Sequence, residues 1–531
     1  MFDILIQNGT VVDGSGSPAY CADVAVKDGK IAQIAPHIVA DAKKIIDAAG
    51  RLITPGFIDI HRHADVNLFT SGFGEPELRQ GLTTIVNGNC GLSVVPCPPE
   101  HRDEIFTFLQ PVIGEVDSSL KFTNFEEYIA LVQKQPLPLN VGMLIGNGTV
   151  RAAVKGYETG RLTPTELAQA HHYLHSSLAA GALGVTLGIV YAPENCYDID
   201  GFVEVLQPMR DFQVPLVTHI RGEGDTFHQS LHEVIEIARR LGVPLHISHL
   251  KCIGSRNWGH GVTKALEILD NARQSGMDIT CDAYPYTAGS TQLIQILPPQ
   301  FLEGGSAGIV KALSNPEKRR ELTEILKKPS DYFENLVNMV GWGNIVMSTL
   351  TQPENQKYIG KSVEQIAAEQ GKDPYDCAYD MLISEQCKIS MVDYITSEDD
   401  IKTILRYPYT SVISDSVYPT GGVPHPRLYA AFPKVLIEYV RESAVLTIEQ
   451  AIHKMTALPA SVYHLKGKGI LREGCDADIN VFALKNLSTD ATYQEPRRFA
   501  KGFDFILVGG KIAVDHDVLT HIPAGKTLFR I

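Results

Sequence analysis

The chain has 531 residues, 44% of them apolar and 20% charged, a balance that fits a soluble globular protein with a sizeable core. A formal charge of −14, with no Lys/Arg block able to cover a phosphate backbone, argues against nucleic acid as a partner. No stretch is apolar for long enough to span a membrane, and Met1-Phe2-Asp3-Ile4 lacks the basic segment and long apolar core of a secretory signal. The nine scattered cysteines are odd in number and form no framework, which points to reduced thiols in the cytoplasm. Apart from Cys90, each reads as a small buried hydrophobe, Cys21 and Cys196 included.

In chain order, residues 2–50 read as short strands and turns. Phe2 to Ile6 alternates, Asn8-Gly9 turns, and Thr10-Val11-Val12 runs on. Cys21 to Val26 and Ile31 to Ile34 flank the hairpin turn Lys27-Asp28-Gly29-Lys30. The far end mirrors this, with Asp478–Phe482 and then Phe505–Val508 turning at Gly509-Gly510 into Lys511–Val514. Neither end can bury a sheet face alone, so the two combine into a small β-sandwich. Its parts are residues 1–55 and 461–531.

Residues 56–460 have another rhythm, with apolar runs alternating with helical segments as in parallel β/α units. Eight candidate strands run over Phe57–His63, Thr83–Asn89, Val141–Gly146, Gly184–Gly188, Leu216–Ile220, Leu245–Leu250, Ile279–Tyr286 and Ser411–Ser416. Thr163–Ala180 starts from a Thr163-Pro164-Thr165-Glu166 cap, and Ser230–Leu241 and 447–458 are further helices. The stretch 290–400 is too long for one βα connection and is expected to hold two helices plus an insertion over the barrel mouth. The fold class is therefore α/β, a (β/α)8 TIM-like barrel beside a sandwich built from both chain ends.

The chemistry lies at the strand ends. His61 and His63 are two apart on a strand, so they share a face, and in a barrel that face is the interior. Two imidazoles there can hold a transition metal. Asp59 is placed either to orient one of them or to shape the strand end. His219 ends the fifth strand and His249 the sixth; His246, three earlier, faces the other way and reads as structural. Asp415 closes the eighth strand, where a carboxylate can touch a metal, accept a proton from water and return it to a leaving nitrogen. Cys90 ends the second strand in Asn87-Gly88-Asn89-Cys90-Gly91 and adds a soft thiolate suited to zinc.

These residues, with Asp3–Gly14 at one end and Gly467–Asp478 at the other, resemble the amidohydrolase superfamily nearly end to end. In detail they resemble its N-acyl-D-amino-acid deacylase (D-aminoacylase) family. Many binuclear members of the superfamily bridge the metals with a fourth-strand lysine. Here Gly184-Val185-Thr186-Leu187-Gly188 has none, and the family's second-strand cysteine matches Cys90. The resemblance implies one tight zinc on Cys90, His219 and His249, and a weaker or partly filled site on His61, His63 and Asp415. It implies that Asp415 carries the proton while His249 and Tyr191 stand beside the developing oxyanion. It also implies that Lys251, Tyr284 and Arg427 read the substrate's α-carboxylate, with Arg151 a further contact. Arg62 and Asn89 depart from the family's usual residues without removing a ligand; Arg62 is expected to face the barrel wall or a salt bridge.

The implied reaction is hydrolysis of N-acyl-D-amino acids to a carboxylate and a free D-amino acid, on a small substrate bearing a carboxylate next to the scissile amide. Alternatives are a cyclic amidase of the dihydroorotase or hydantoinase kind, a dipeptidase, or a non-catalytic scaffold on the same fold. A dehydrogenase is not supported, for no Gly-x-Gly-x-x-Gly follows the first strand. Oligomeric state stays open, a homo-oligomer included.

Overall fold

The computed structural model describes residues 1–530. Eight parallel strands form the barrel: Phe57–Asp59, Leu82–Asn87, Asn140–Met143 continued by Ile145–Gly146, Val185–Gly188, Leu216–His219, Leu245–Ile247, Ile279–Ala283 and Thr410–Val412. The third strand breaks at Leu144, its first part pairing with the second strand and its second part with the fourth. The ring closes between the eighth and first strands, where Asp415 N donates to His61 O (2.9 Å) and His63 N to Ser416 O (3.0 Å). Six of the eight strands end short of the apolar run that announced them, and the third and fourth end where expected, at Gly146 and Gly188. The residues just past those ends curl inward over the barrel, which is where strand-end side chains converge.

The helices follow their caps. Pro164–Ala179 begins in a capping box between Thr163 and Glu166, and Ile448–Met455 in one between Thr447 and Gln450. The connection between barrel strands seven and eight holds more than the two helices plus an insertion expected for 290–400. It folds as an antiparallel sheet of Ala288–Gln292, Ser390–Tyr394 and Ile345–Thr349, with five α-helices between Gly305 and Ser384. Short amphipathic segments separated by turns conceal that count in the sequence.

Both chain ends join one nine-stranded sheet. Ile4, Ile6, Val24 and Val26 from the N-terminal part share a core with Ile479, Val481 and Leu507, which is the sandwich. The Asp28-Gly29 hairpin has both central residues at positive φ, 50° and 76°, as a tight two-residue turn requires. Asn8-Gly9 does not turn. The strand runs unbroken over Phe2–Val11, with a bulge between Ile6 and Gly9 where Asn8 adopts a φ of 61°. At the other end, Thr527–Leu528 leaves the sandwich and pairs in parallel with Val141 and Gly142 of the third barrel strand.

Arg62 points away from the two histidines beside it, as strand alternation requires. Its guanidinium is fully buried and bonds Asp59 (3.1 Å), Glu77 (2.7 Å), Ser414 Oγ (3.1 Å) and Tyr418 Oη (2.6 Å). This cluster ties the first strand to the eighth behind the site. Arg62→Met is expected to leave Asp59 and Glu77 as buried, uncompensated carboxylates and to cost about 3–5 kcal/mol, read as a lower denaturant midpoint.

Candidate metal centre and substrate cavity

Six side chains meet at the carboxyl ends of the strands. Ligating atoms of His61, His63 and Cys90 lie within 4.8 Å of one another, and so do those of Cys90, His219 and His249. The thiol of Cys90 belongs to both triads, 3.2 Å from His61 Nε2 and 3.6 Å from His249 Nε2. Asp415 Oδ1 stands 3.4 Å from His61 Nε2 and 3.5 Å from His63 Nε2, completing the first group. Soft sulfur and imidazole donors suit zinc, and three protein donors leave a fourth position open. The second triad is the set expected for the tight ion, and the His61, His63 and Asp415 set adjoins it through Cys90.

Three of the six are held in backbone conformations that side chains rarely adopt. Cys90, His249 and Asp415 have φ values of 55°, 37° and 52°. Such positions cost of order 1–3 kcal/mol each and persist only where their surroundings enforce them. At Cys90 the enforcement is visible. A Cβ on Gly188 would lie 2.1 Å from the Cys90 carbonyl oxygen, and one on Gly88 2.4 Å from that of Leu144. Glu194, buried beneath this loop, accepts from Gly188 N (2.7 Å) and Asn147 Nδ2 (2.6 Å). Asn89 donates to the carbonyls of Val86 (3.1 Å), Ile60 (3.3 Å) and Arg62 (3.4 Å), so it straps the histidine-bearing segment to the cysteine loop.

The electrostatics favour the ligand forms. Burial by itself would push the Cys90 thiol up, but His61, His219 and His249 reverse this and hold it well below the usual thiol range. Burial likewise opposes ionisation of Asp415, and Arg427, His61 and His63 hold its carboxyl well below the ordinary value. Tyr191 is kept protonated by burial and by the nearby Cys90.

Two carboxylates that strand-end reading does not single out support the ligands. Glu223 Oε1 accepts from His249 Nδ1 (3.0 Å) and from Lys251 Nζ (2.7 Å), and burial is overcome by Lys251 and both histidines to bring its carboxyl down to about 2. Asp282 accepts from His246 Nε2 (2.8 Å) and from the His249 backbone N–H, and its Oδ2 lies 3.6 Å from His61 Nδ1. His246 is therefore structural and fixes a carboxylate that touches two ligand positions. Asp59 instead shapes the strand end, accepting from Ser414 N (3.1 Å) and Arg62. The signal for Glu223 was its place four residues after His219, in a loop where no periodicity marks it. Glu223→Gln is expected to weaken metal affinity by roughly 10–100-fold, measured by competition with a chelator.

The cavity over these residues is lined by Tyr191, Lys251, Tyr284 and Ser290, with His63, Cys90, His219, His249 and Asp415 at its floor. Leu92, Val112, Val190, Ile253 and Leu336 supply apolar walls. Tyr191 Oη contacts Thr291 Oγ1 at 3.2 Å. Arg427 sits behind this lining. It pairs with Asp415 Oδ2 (2.9 Å), donates to Ser290 O (3.1 Å) and lies 4.8 Å from the Tyr284 ring centre. Arg151 is not part of the cavity, against expectation. Its helix, Asn147–Lys155, turns it away from the cavity into a fully buried position, where it donates to Glu158 O (3.2 Å) and Gly160 O (2.6 Å) and stacks on Tyr197. Cys21 and Cys196 also differ from expectation in being exposed, and all nine cysteines are free.

Residues 354–514 match the Amidohydrolase family. The chain is 30% identical to the D-aminoacylase of Alcaligenes xylosoxydans xylosoxydans over 100% of its own length and 98% of that protein's. The chain belongs to the D-aminoacylase family of amidohydrolases. The same organism's N-acyl-D-glutamate deacylase is 31% identical over 99% of the chain and 96% of the relative. Among solved D-aminoacylase relatives, the N-acyl-D-glutamate deacylase of Bordetella bronchiseptica superposes with a TM-score of 0.84 at 29% identity, covering 100% of both chains. That protein was crystallised with zinc and a phosphonate mimic of the reaction's tetrahedral intermediate.

Proposed function

We propose that the chain is a zinc-dependent deacylase of N-acyl-D-amino acids, releasing a carboxylic acid and a free D-amino acid. The observation that carries this reading is the pair of donor triads joined through Cys90, with Lys251 in the same cavity. Cys90, His219 and His249 would hold the tight ion, and His61, His63 and Asp415 a second, weaker one. When bound, zinc supplies a Lewis acid for the acyl carbonyl and lowers the pKa of water toward about 7.

The chain's own residues do the rest. Asp415 Oδ1 faces the ligand cluster as a charged carboxylate, which suits it to take the proton of the attacking water. The same oxygen then returns that proton to the leaving nitrogen. Tyr191 Oη, protonated and at the cavity wall, donates a hydrogen bond toward the oxyanion. Lys251 and Tyr284 line the cavity where an α-carboxylate lies beside the scissile amide, and Arg427 supports them from behind. Every residue lining the cavity falls between His63 and Val417, which supports assigning catalysis to residues 56–460.

The D configuration comes from the relatives' substrates, and the missing fourth-strand lysine sets the site apart from the usual cyclic amidases. Among the described residues no helix is long and apolar enough to cross a membrane, and nine free cysteines suit a cytoplasmic location. The test is a screen of zinc-loaded protein against paired N-acetyl D- and L-amino acids, with hydantoins, dihydroorotate and dipeptides as comparators. Turnover of the D series is expected; turnover confined to the L series or to rings refutes the reading.

A further inference from the structure

The relatives in this family differ in the side chain they accept, and the walls of this cavity bear on that choice. Among the described residues lining it, Lys251 is the one Lys or Arg. It is already committed to Glu223 and, on the proposed function, to the substrate's α-carboxylate. The arginines nearby are engaged elsewhere. Arg427 is outside the lining, its charge balanced by Asp415, although its Nε and Nη1 make no hydrogen bond. Arg221, in the adjoining cleft, spends its donors on Glu233 (2.8 Å), Asn195 O (2.8 Å) and Tyr197 O (2.7 Å).

The insertion contributes the opposite charge. Asp393 lines the cavity at 4% exposure, and its Oδ1 has no hydrogen-bond partner. That oxygen lies 2.9 Å from where a Cβ on Gly289 would stand, and the Tyr284 hydroxyl is 3.3 Å from the same point. The unpartnered carboxyl therefore flanks the tyrosine expected to read the α-carboxylate. Glu334 also lines the cavity and accepts from the backbone N–H of Glu223. Neither acid forms an ion pair with a lysine or arginine within the described residues. Burial raises Asp393 to about 6 despite Lys251 and Arg427, and burial with Glu223 raises Glu334 to about 8.

We propose that Asp393 and Glu334 are specificity-determining residues that close the cavity to a second carboxylate, so that the site takes N-acyl-D-amino acids whose side chains are not acidic. This rests on the proposed deacylase function and refines it. A D-glutamyl or D-aspartyl side chain would have to be buried beside two acids with no free cation, and an uncompensated buried charge is strongly disfavoured. An apolar side chain can meet Leu92, Val112 and Ile253, which line the same cavity, at no such cost. The discrimination thus comes from burying a carboxylate with no further cation to meet it, and ionised Asp393 adds repulsion.

The test compares N-acetyl-D-leucine with N-acetyl-D-glutamate on zinc-loaded protein. The expected kcat/KM for the glutamate derivative is lower by at least about 100-fold. Asp393→Asn at about pH 7.5 and, separately, Glu334→Gln at about pH 9, where each acid is ionised, are each expected to narrow that ratio by about tenfold, through the glutamate derivative. A wild-type ratio within tenfold, or ratios unmoved in both variants, overturns the proposal. Calorimetric titration of the two compounds into metal-free protein, which does not turn them over, gives a second reading. Binding of the leucine derivative at least tenfold tighter supports the proposal, and equal or reversed affinities overturn it. Absence of turnover on every D compound would refute the deacylase function instead, leaving the binding comparison to decide the charge selection.

Discussion

Cys90→Ala is expected to lose tight zinc and, with it, nearly all activity. The thiol is the one donor common to both triads, so its removal leaves two pairs of imidazoles with no sulfur between them. Removing an outer partner of a metal ligand already costs roughly 10–100-fold in affinity, so the loss of this direct and shared donor is expected to exceed about 100-fold. The change is a clean probe of the backbone. Alanine and cysteine meet the same steric penalty at a φ of 55°, so the loop's strain is unchanged. Metal content after dialysis, measured by mass spectrometry beside kcat/KM, reads the result. A variant that keeps one equivalent of tight zinc and full activity refutes the ligand assignment.

Asp415→Asn is expected to separate chemistry from metal binding. Asparagine keeps the size and one carbonyl oxygen but cannot take a proton at that position. General acid–base contributions are typically about 10²–10⁴-fold, and a fall of that order is expected in kcat. The tight ion should remain, since Cys90, His219 and His249 are untouched. Substrate binding is expected to weaken as well, because Arg427 loses the charged partner that holds it at 2.9 Å. The check is a full kcat and KM determination at matched zinc occupancy. An unchanged kcat would remove Asp415 from the proton path.

The barrel was largely legible in the chain. Apolar runs of strand length, separated by capped amphipathic segments, marked all eight strands, and the ligand-bearing residues ended five of the runs. His61 and His63 could be placed on one face because strand periodicity leaves no other choice. The size of the insertion was not legible, since helices such as Leu336–Val340 and Val363–Gln370 are too short to show a sustained period. Arg151 misled for a related reason. Its position after the third strand points toward the mouth, but the helix begins at Asn147 and rotates the side chain out of the cavity.

Sequence alone determined which candidate ligands end which strands, because that follows from residue identity and a period of two; the thiol of Cys90 in place of a bridging lysine rests on the resemblance to the family. Tertiary structure decided what those residues lean on. Glu223 reaches His249 and Lys251 across a loop, Asp282 reaches ligand positions on two strands, and Gly188 matters because the Cys90 carbonyl presses on it. Asp393 lies more than 100 residues from Tyr284, and only the folded insertion brings both to one cavity. Contacts of that kind depend on how elements pack in space, and local periodicity carries no record of which distant strands will become neighbours.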